Sequence, residues 1–408
     1  MKVLLIDVNC KHSSTGKLVY SLYTNLNNSG HTAAICYGRG RRIHEHNIYK
    51  FSNDIETYFH AFLTRITGLT GIYSPLATCN LIKFIKEFKP DIVHIHELHA
   101  YFVNIAPLMN YLKKNNIKTV WTFHCEFMYT GKCGHAYDCE KWKQECGQCP
   151  QVKEYPASLY FDFTKKMFND KKTLFVGFNN LTIVTPSEWL AERVKQSFLK
   201  DKDIQVVNNG IDTKIFSPKP FDHLKRKHGL TSEKIVLAVA PNLMSEGKGG
   251  KYVIECARKF KNENVKFILI GVDDLNHKFD GNVIALGRTT NQNELAEYYS
   301  MADITLITST KETFSLVCAE SLACGTPVTG FDSGAPREIA PEGYSRFVQY
   351  GDVEMLQKVL QEIFRKTLGL KSKEDCIRFA HINYDSLIMA KNYQDLYRNL
   401  LAGELNGH

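Results

Sequence analysis

At 408 residues the chain is too long for one ordinary core, and two domains of roughly 200 residues each are the natural expectation. Its 44% apolar and 23% charged content is that of a folded globular protein, which excludes a disordered or fibrous class. Charge is unevenly placed: residues 1–207 carry 26 Lys/Arg against 18 Asp/Glu, a net of +8, while residues 208–408 carry 25 of each. A basic first half expects something anionic (a membrane surface, a phosphorylated lipid carrier or nucleic acid) or else simply displays solvated lysines.

The opening MKVLLIDV is too brief an apolar run for a signal-peptide core or a membrane span, and it reads as a first strand over residues 2–8. The expected compartment is therefore the cytoplasm. A loop over 9–15 and a helix over 16–28 follow, with Gly30 placed as a helix-terminating glycine. Further strands are expected at 32–37, 91–96, 118–123, 181–185 and 204–207, and Ser187 is a good N-cap for the helix EWLAERV. The joint NNGIDTKIFSPKP is rich in turn residues. Beyond it a second series is expected, with strands at 235–240, 265–270, 283–286, 303–307 and 327–331 and helices at 249–260 and 294–301. Strands alternating with helices predict an α/β chain of two facing Rossmann-like domains, 1–207 and 208–387, with a ligand site in the cleft between them. A last helix over 388–408 is expected to pack back on the first domain.

Two features of the first domain carry side-chain chemistry. His124 ends the strand KTVWTF, at the carboxyl edge where a ligand-facing residue belongs. His94 and His96 of HIHELH share one strand face, so a metal pair is conceivable, but hydrogen bonding to substrate or backbone is the stronger reading. The insertion at 125–150 gathers Cys133, Cys139, Cys146 and Cys149 with the spacing C-x5-C-x6-C-x2-C. Without a secretory signal the scattered cysteines read as reduced thiols, and four clustered thiolates suit a structural tetrahedral zinc site.

The most informative run is ADITLITSTKETFSLVCAESLACGTPVTGFDSGAPREI. It reads as strand, loop, helix, glycine stop and strand, with the helix starting near Phe314 and ending before Gly325. The first turn leaves the amides of Phe314, Ser315 and Leu316 available, and no acidic residue occupies it, so it forms a phosphate site. Glu312 precedes that site. Glu320 lies about six residues into the helix, or roughly 9 Å of rise. Carboxylates ahead of and behind a phosphate site can grip the sugars on either side of a diphosphate, since each accepts two hydroxyl hydrogen bonds.

This segment resembles the Glu–seven residues–Glu signature of retaining glycosyltransferase family 4, which has the GT-B fold. The resemblance implies that Glu320 binds the nucleotide ribose, that Glu312 contacts the transferred sugar, and that the amides near Ser315 and Leu316 hold the β-phosphate. NNGIDTKIFSP is similar to the family's interdomain joint, with Asn209, Gly210, Asp212, Phe216 and Pro218 in place. APNLMSEGKGGKYVIECA resembles its second-domain phosphate loop, where Lys248 would neutralise the diphosphate. Asn242 stands where the family often has an Arg, and Arg288 is a candidate to replace that cation. SSTGKLVYSL resembles the glycine-rich loop of the first domain, with Gly16 as the close-approach residue. His124 would contact the sugar or position the acceptor, although Cys125 follows it where Asp is common. The cysteine cluster resembles an insertion found in a polysaccharide-assembly subgroup.

The resemblance therefore implies transfer of a hexose-type sugar, with retention, from a UDP- or GDP-sugar to an acceptor hydroxyl in surface polysaccharide biosynthesis. No catalytic metal is expected. The acceptor can be lipid-linked, with the basic domain resting peripherally on the inner membrane face. Two rivals are a sugar-nucleotide epimerase or glycosyl phosphorylase of the same architecture and, in a different class, a zinc-knuckle nucleic-acid-binding protein. The last is disfavoured because its basic residues would be dispersed and its second domain would have no task.

Overall fold

The computed structural model describes residues 1–403. The chain divides into two compact units, Met1–Asn208 joined by the segment from Met389, and Asn209–Ile388. In the first unit the strands are β1 (Lys2–Asp7), β2 (Thr32–Tyr37), β3 (Ile48–Lys50), β4 (Ile92–Ile95), β5 (Lys118–Thr122), β6 (Leu181–Thr185) and β7 (Asp203–Val206). They form one sheet in the order β3-β2-β1-β4-β5-β6-β7, every pairing parallel. Its helices are α1 (Ser14–Asn28), α2 (Asp54–Thr67), α3 (Pro75–Phe88), α4 (Ile105–Lys114), α5 (Thr164–Phe175) and α6 (Glu188–Lys195). Ser187 caps α6 as expected, its hydroxyl accepting the Leu190 amide at 3.2 Å.

Alternate residues of β1 feed opposite faces of the sheet, as the period of a strand requires. Leu4 and Ile6 join the cluster under α3 and α4, while Val3 and Leu5 join the cluster against α1. Both faces are covered, which is why these strands read as continuous apolar runs.

The second unit begins with α7 (Asp222–Lys227), β8 (Lys234–Val239), α8 (Gly250–Lys259), β9 (Val265–Ile270), β10 (Val283–Leu286), α9 (Gln292–Met301) and β11 (Ile304–Ile307). It continues through α10 (Leu316–Ala323), β12 (Val328–Phe331), α11 (Pro336–Ile339), β13 (Ser345–Val348), α12 (Val353–Phe364) and α13 (Lys373–Tyr384). Its sheet order is β10-β9-β8-β11-β12-β13, again all parallel. In each sheet the winding reverses at one place, between β1 and β4 and between β8 and β11. Ligands of doubly wound sheets bind beyond the carboxyl ends at such points.

The last helix, α14 (Ser386–Ala402), sends Met389, Ala390, Tyr393 and Tyr397 into the first unit's core beside Val3 and Leu5. The final residues of the predicted 388–408 helix lie outside the described residues. No helix among the described residues is long and apolar enough to cross a membrane.

Candidate active site

The switch point of the second unit is built by two loops that approach so closely that side chains are excluded. After β8 the chain makes a short 3-10 turn at Glu246–Lys248, and Gly249 follows at φ +68°. A Cβ on Gly249 would lie 2.2 Å from the Thr308 carbonyl oxygen, and one on Gly250 would lie 2.6 Å from that of Leu243, so the paired glycines are steric necessities. The Thr308 hydroxyl donates to the Lys248 carbonyl at 2.9 Å and the Thr310 amide to that of Gly247 at 3.0 Å, stitching the loop after β8 to the loop after β11. This stitching brings Lys248 Nζ to 2.6 Å from Glu312 Oε1, both side chains half-buried.

Helix α10 starts later than the sequence suggests. The expected start near Phe314 is corrected to Leu316, with Ser315 as N-cap at φ 81°. The cause is a long-range contact. The Glu312 amide donates to the Ser333 carbonyl at 2.9 Å and its carbonyl accepts the Ala335 amide at 3.1 Å, which holds residue 312 extended. The Phe314 ring then turns into the core, edge-on to Tyr384 with centroids 5.7 Å apart. Since the Cys318 amide already reaches the Ser315 carbonyl at 3.2 Å, helix geometry leaves Leu316 and Val317 to present amides outward, so Phe314 is a packing residue. No acidic residue occupies this first turn, and the positive end of the helix dipole faces the same way.

Glu320 lies one turn further along α10, where the buried Tyr299 hydroxyl donates to its Oε2 at 3.0 Å. Burial, and then the Glu320 charge, push the Tyr299 phenol well above its usual range, so it is a fixed donor. Phe216, from the joint, packs edge-on against the Tyr299 ring at 6.2 Å. Asn242 lies beyond β8 with its side chain exposed. Arg288 is exposed beyond β10, two strand positions from β8, or roughly 10 Å. Sequence reasoning missed Tyr299.

The carboxyl edge of the first sheet carries a buried network. Gly16 lies in the first turn of α1, where its amide donates to Ser13 Oγ at 3.2 Å and an added Cβ would lie 3.1 Å from the Asn9 carbonyl oxygen. The close approach at Gly16 is thus made with its own loop. His124, two residues beyond β5, places Nε2 at 2.9 Å from His96 Nδ1. The His96 ring lies tilted against that of His94 with centroids 4.1 Å apart, and His94 bridges Tyr397 at 2.6 Å and Thr122 at 2.8 Å. Burial lowers the pKa of all three imidazoles, which keeps them neutral. The strand histidines do form hydrogen bonds, but to other side chains and not to the backbone expected from the sequence.

Beside them, Glu97 and His99 form a close pair at 2.5 Å. Burial raises the Glu97 carboxyl, but the His99 charge outweighs it and holds the group down at about 2. Asp7, at the end of β1, accepts the Glu97 amide at 3.1 Å and the Asn9 amide at 3.2 Å. Burial and then the Glu97 charge push its carboxyl up to about 7. Sequence reasoning missed Asp7, although a charged residue closing an apolar strand at its carboxyl end was a usable signal. Among the described residues, the set with three ligand atoms within 4.8 Å of one another is Glu97, His99 and Cys125. We read it as an ion pair with a neighbouring thiol.

The insertion is shaped largely by buried cations. The Lys171 ammonium donates to the carbonyls of Phe127, Thr130 and Gly131, and Lys132 donates to those of Val152, Glu154 and Pro156. Burial pulls Lys171 down to about 7. Arg193 clamps buried Glu126 at 2.6 Å and stacks over Trp142. Cys133, Cys139, Cys146 and Cys149 line one small cavity there, and the Gly131 amide donates to Cys146 Sγ at 3.2 Å.

Two parallel doubly wound sheets, with an ion pair and open helix amides at one switch point, define a transferase of the GT-B fold. Residues 15–215 match the family model described as Glycosyltransferase Family 4 and residues 220–381 match Glycosyl transferases group 1. The chain is a glycosyltransferase of the family 4 type. It is 24% identical to the putative colanic acid biosynthesis glycosyl transferase WcaC of Escherichia coli K12 over 76% of this chain and 77% of that one. Among solved structures it resembles sucrose-phosphate synthase of Thermosynechococcus elongatus, with a TM-score of 0.73, 17% identity and 98% and 99% of the two chains covered. It also resembles Anabaena Alr3699/HepE in complex with UDP-glucose, with a TM-score of 0.67, 13% identity and 98% and 100% covered. These matches do not favour the epimerase or nucleic-acid-binding readings.

Proposed function

We propose that the chain transfers a hexose-type sugar, with retention, from a UDP- or GDP-sugar to an acceptor hydroxyl during surface polysaccharide assembly. The observation that carries this reading is the Lys248–Glu312 pair at 2.6 Å beside the open first turn of α10. A cation, outward amides and a carboxylate together suit a sugar diphosphate. The ammonium and the amides meet the phosphates, while Glu312 accepts hydrogen bonds from sugar hydroxyls. Glu320, aligned by Tyr299, accepts the ribose hydroxyls. Asn242 and Ser315 border the same loops as minor contacts.

In the reaction the bond between the anomeric carbon and the diphosphate breaks and a bond to the acceptor oxygen forms, on the leaving-group side. The acceptor hydroxyl loses its proton to the departing phosphate. Lys248 and the Leu316 and Val317 amides stabilise the charge that develops there, as fixed dipoles and cations do at other developing anions. We assign the acceptor, which can be a lipid-linked sugar, to the first unit. There neutral His124, steadied by His96, is a hydrogen-bonding contact, and Gly16 shapes the neighbouring loop. WcaC supports the polysaccharide context and the HepE complex a UDP-sugar donor.

A thermal-shift screen of UDP- and GDP-sugars tests the donor assignment. At least one nucleotide sugar should raise the melting temperature, and Glu320→Ala should abolish that shift while the chain stays folded. Normal binding by Glu320→Ala would show that the ribose contact is misassigned. We also propose that the four insertion thiols hold a structural zinc ion. They suit zinc by number and softness and share a cavity in which an amide already donates to one sulfur, but no three of the sulfurs lie within 4.8 Å of one another, so an ion would have to draw them together. Protein purified without chelator should carry one zinc per chain by elemental analysis, and a metal-free, fully reduced protein with unchanged stability would remove the site.

A further inference from the structure

Helix α2 is amphipathic in the reverse sense. Its buried stripe is Thr57, His60, Ala61 and Thr64, polar or small throughout. Two of them are satisfied inside: Thr57 bonds Ser52 at 3.1 Å, His60 Nδ1 lies 2.8 Å from Ser74 Oγ, and its Nε2 accepts the Gly71 amide at 3.3 Å. The outward stripe is Ile55, Tyr58, Phe59 and Phe62, exposed by 84%, 71%, 59% and 55%. Spacing of i, i+3, i+4 and i+7 makes these one continuous face, the stripe that a surface helix normally buries.

The apolar surface continues past both ends of the helix. The Glu56 carboxylate accepts the amides of Leu76 and Ala77 at 2.9 and 3.0 Å, which sets exposed Leu76 beside the first turn. At the other end the Leu159 amide donates to the Arg65 carbonyl at 2.8 Å, so that exposed Leu159, Tyr160 and Phe161 extend the face. Of the nineteen exposed large hydrophobic side chains among the described residues, eleven lie in 55–76 and 155–163, which makes this a patch and not scatter.

We propose that this face rests on an anionic lipid bilayer, with α2 lying in the plane of the interface. Charge selects that occupant over a second copy of the chain. Residues 1–207 hold the whole net charge of +8, which a like-charged copy would repel and an anionic leaflet would attract. Two nearby carboxylates are already engaged, Asp54 with Lys50 at 2.8 Å and Glu56 with the α3 amides. Tyrosine and phenylalanine rings on a helix of this kind suit the headgroup level. The inference stands apart from the donor site and gives the proposed enzyme a route to a lipid-borne acceptor.

Flotation of the full chain with vesicles of phosphatidylglycerol and phosphatidylcholine, or of phosphatidylcholine alone, tests this. The wild type should float with the anionic vesicles at least about tenfold better than with the neutral ones. The double variant Phe59→Asp/Phe62→Asp should lose about thirty-fold in partitioning while keeping the wild-type melting temperature and any nucleotide-sugar shift. A wild type that ignores anionic vesicles, or binds both kinds equally, overturns the proposal. So does a dimer in light scattering that the double variant dissolves, since that gives the face to a second copy. The donor shift is read separately, so failure of the transfer reading would not be mistaken for failure of docking.

Discussion

The carboxyl ends of β8 and β11 and those of β1, β4 and β5 occupy equivalent places in two parallel sheets, yet they are built in opposite ways. In the second unit the polar groups are half-buried and few, and backbone shape does the work through paired glycines, open amides and one ion pair. In the first unit Asp7, His94, His96, Glu97, His99 and His124 crowd together; burial sets the protonation of Asp7 and of His94, His96 and His124, while the mutual charge of Glu97 and His99 overrides it in that pair. The difference matches the ligands proposed for each. A diphosphate brings its own charge and needs partners that can exchange one contact for another. A hydroxyl acceptor is neutral and needs contacts of fixed protonation.

The largest test of this contrast is Lys248→Met. If the second unit relies on one exchangeable cation, kcat/KM for transfer should fall by about 10²–10³-fold, comparable to the loss of a main stabiliser of developing charge. The ligand-free melting temperature should hardly move, because a half-exposed ion pair contributes little. Activity within fivefold of wild type would mean that the phosphate charge is met elsewhere, with Arg288 the first residue to examine.

A smaller effect sharpens the other side. The fold raises the Asp7 carboxyl from 3.8 to about 7, so the folded state favours its protonated form. Stability from this group is complete below pH 3.8 and is lost as pH rises toward 7. Between pH 5 and 8 the wild type should lose roughly 2–3 kcal/mol relative to Asp7→Asn, in which nothing titrates. Urea midpoints of the two proteins across that range give the difference directly. Parallel curves would show that Asp7 is ionised throughout and that the buried network is not under proton control.

Much of this architecture is written locally. Strands at 32–37, 181–185, 265–270 and 283–286 coincide with their apolar runs, because turn residues bound each run. The start of α10 was not legible, since it depends on the pairing of Glu312 with Ser333 and Ala335, some twenty residues away. Lys132 and Lys171 look like ordinary surface lysines in sequence, and only the folded insertion shows them capped by carbonyls. The reversed face of α2 was also hidden. No element is expected from the sequence between the strands at 32–37 and 91–96, and the residues that satisfy His60 and Thr57 come from other loops.

Tyr299 shows the same limit at the finest scale. In NELAEYYSM the two tyrosines are adjacent and equally apolar, and both are buried, yet they do different things. Tyr298 meets His228 at 2.9 Å, whereas Tyr299 reaches Glu320 at 3.0 Å with Phe216 bracing its ring. Tyr299→Phe removes one hydroxyl and leaves the packing intact. One hydrogen bond to a carboxylate is worth about 1.5–3 kcal/mol net, so donor KM should rise at least about tenfold with kcat unchanged. Tyr298→Phe, which loses a hydroxyl bonded to His228 and not to Glu320, should leave donor KM alone. Equal effects from the two changes would mean that Glu320 is oriented by its helix without help, and that the second unit's site is shaped by backbone geometry only.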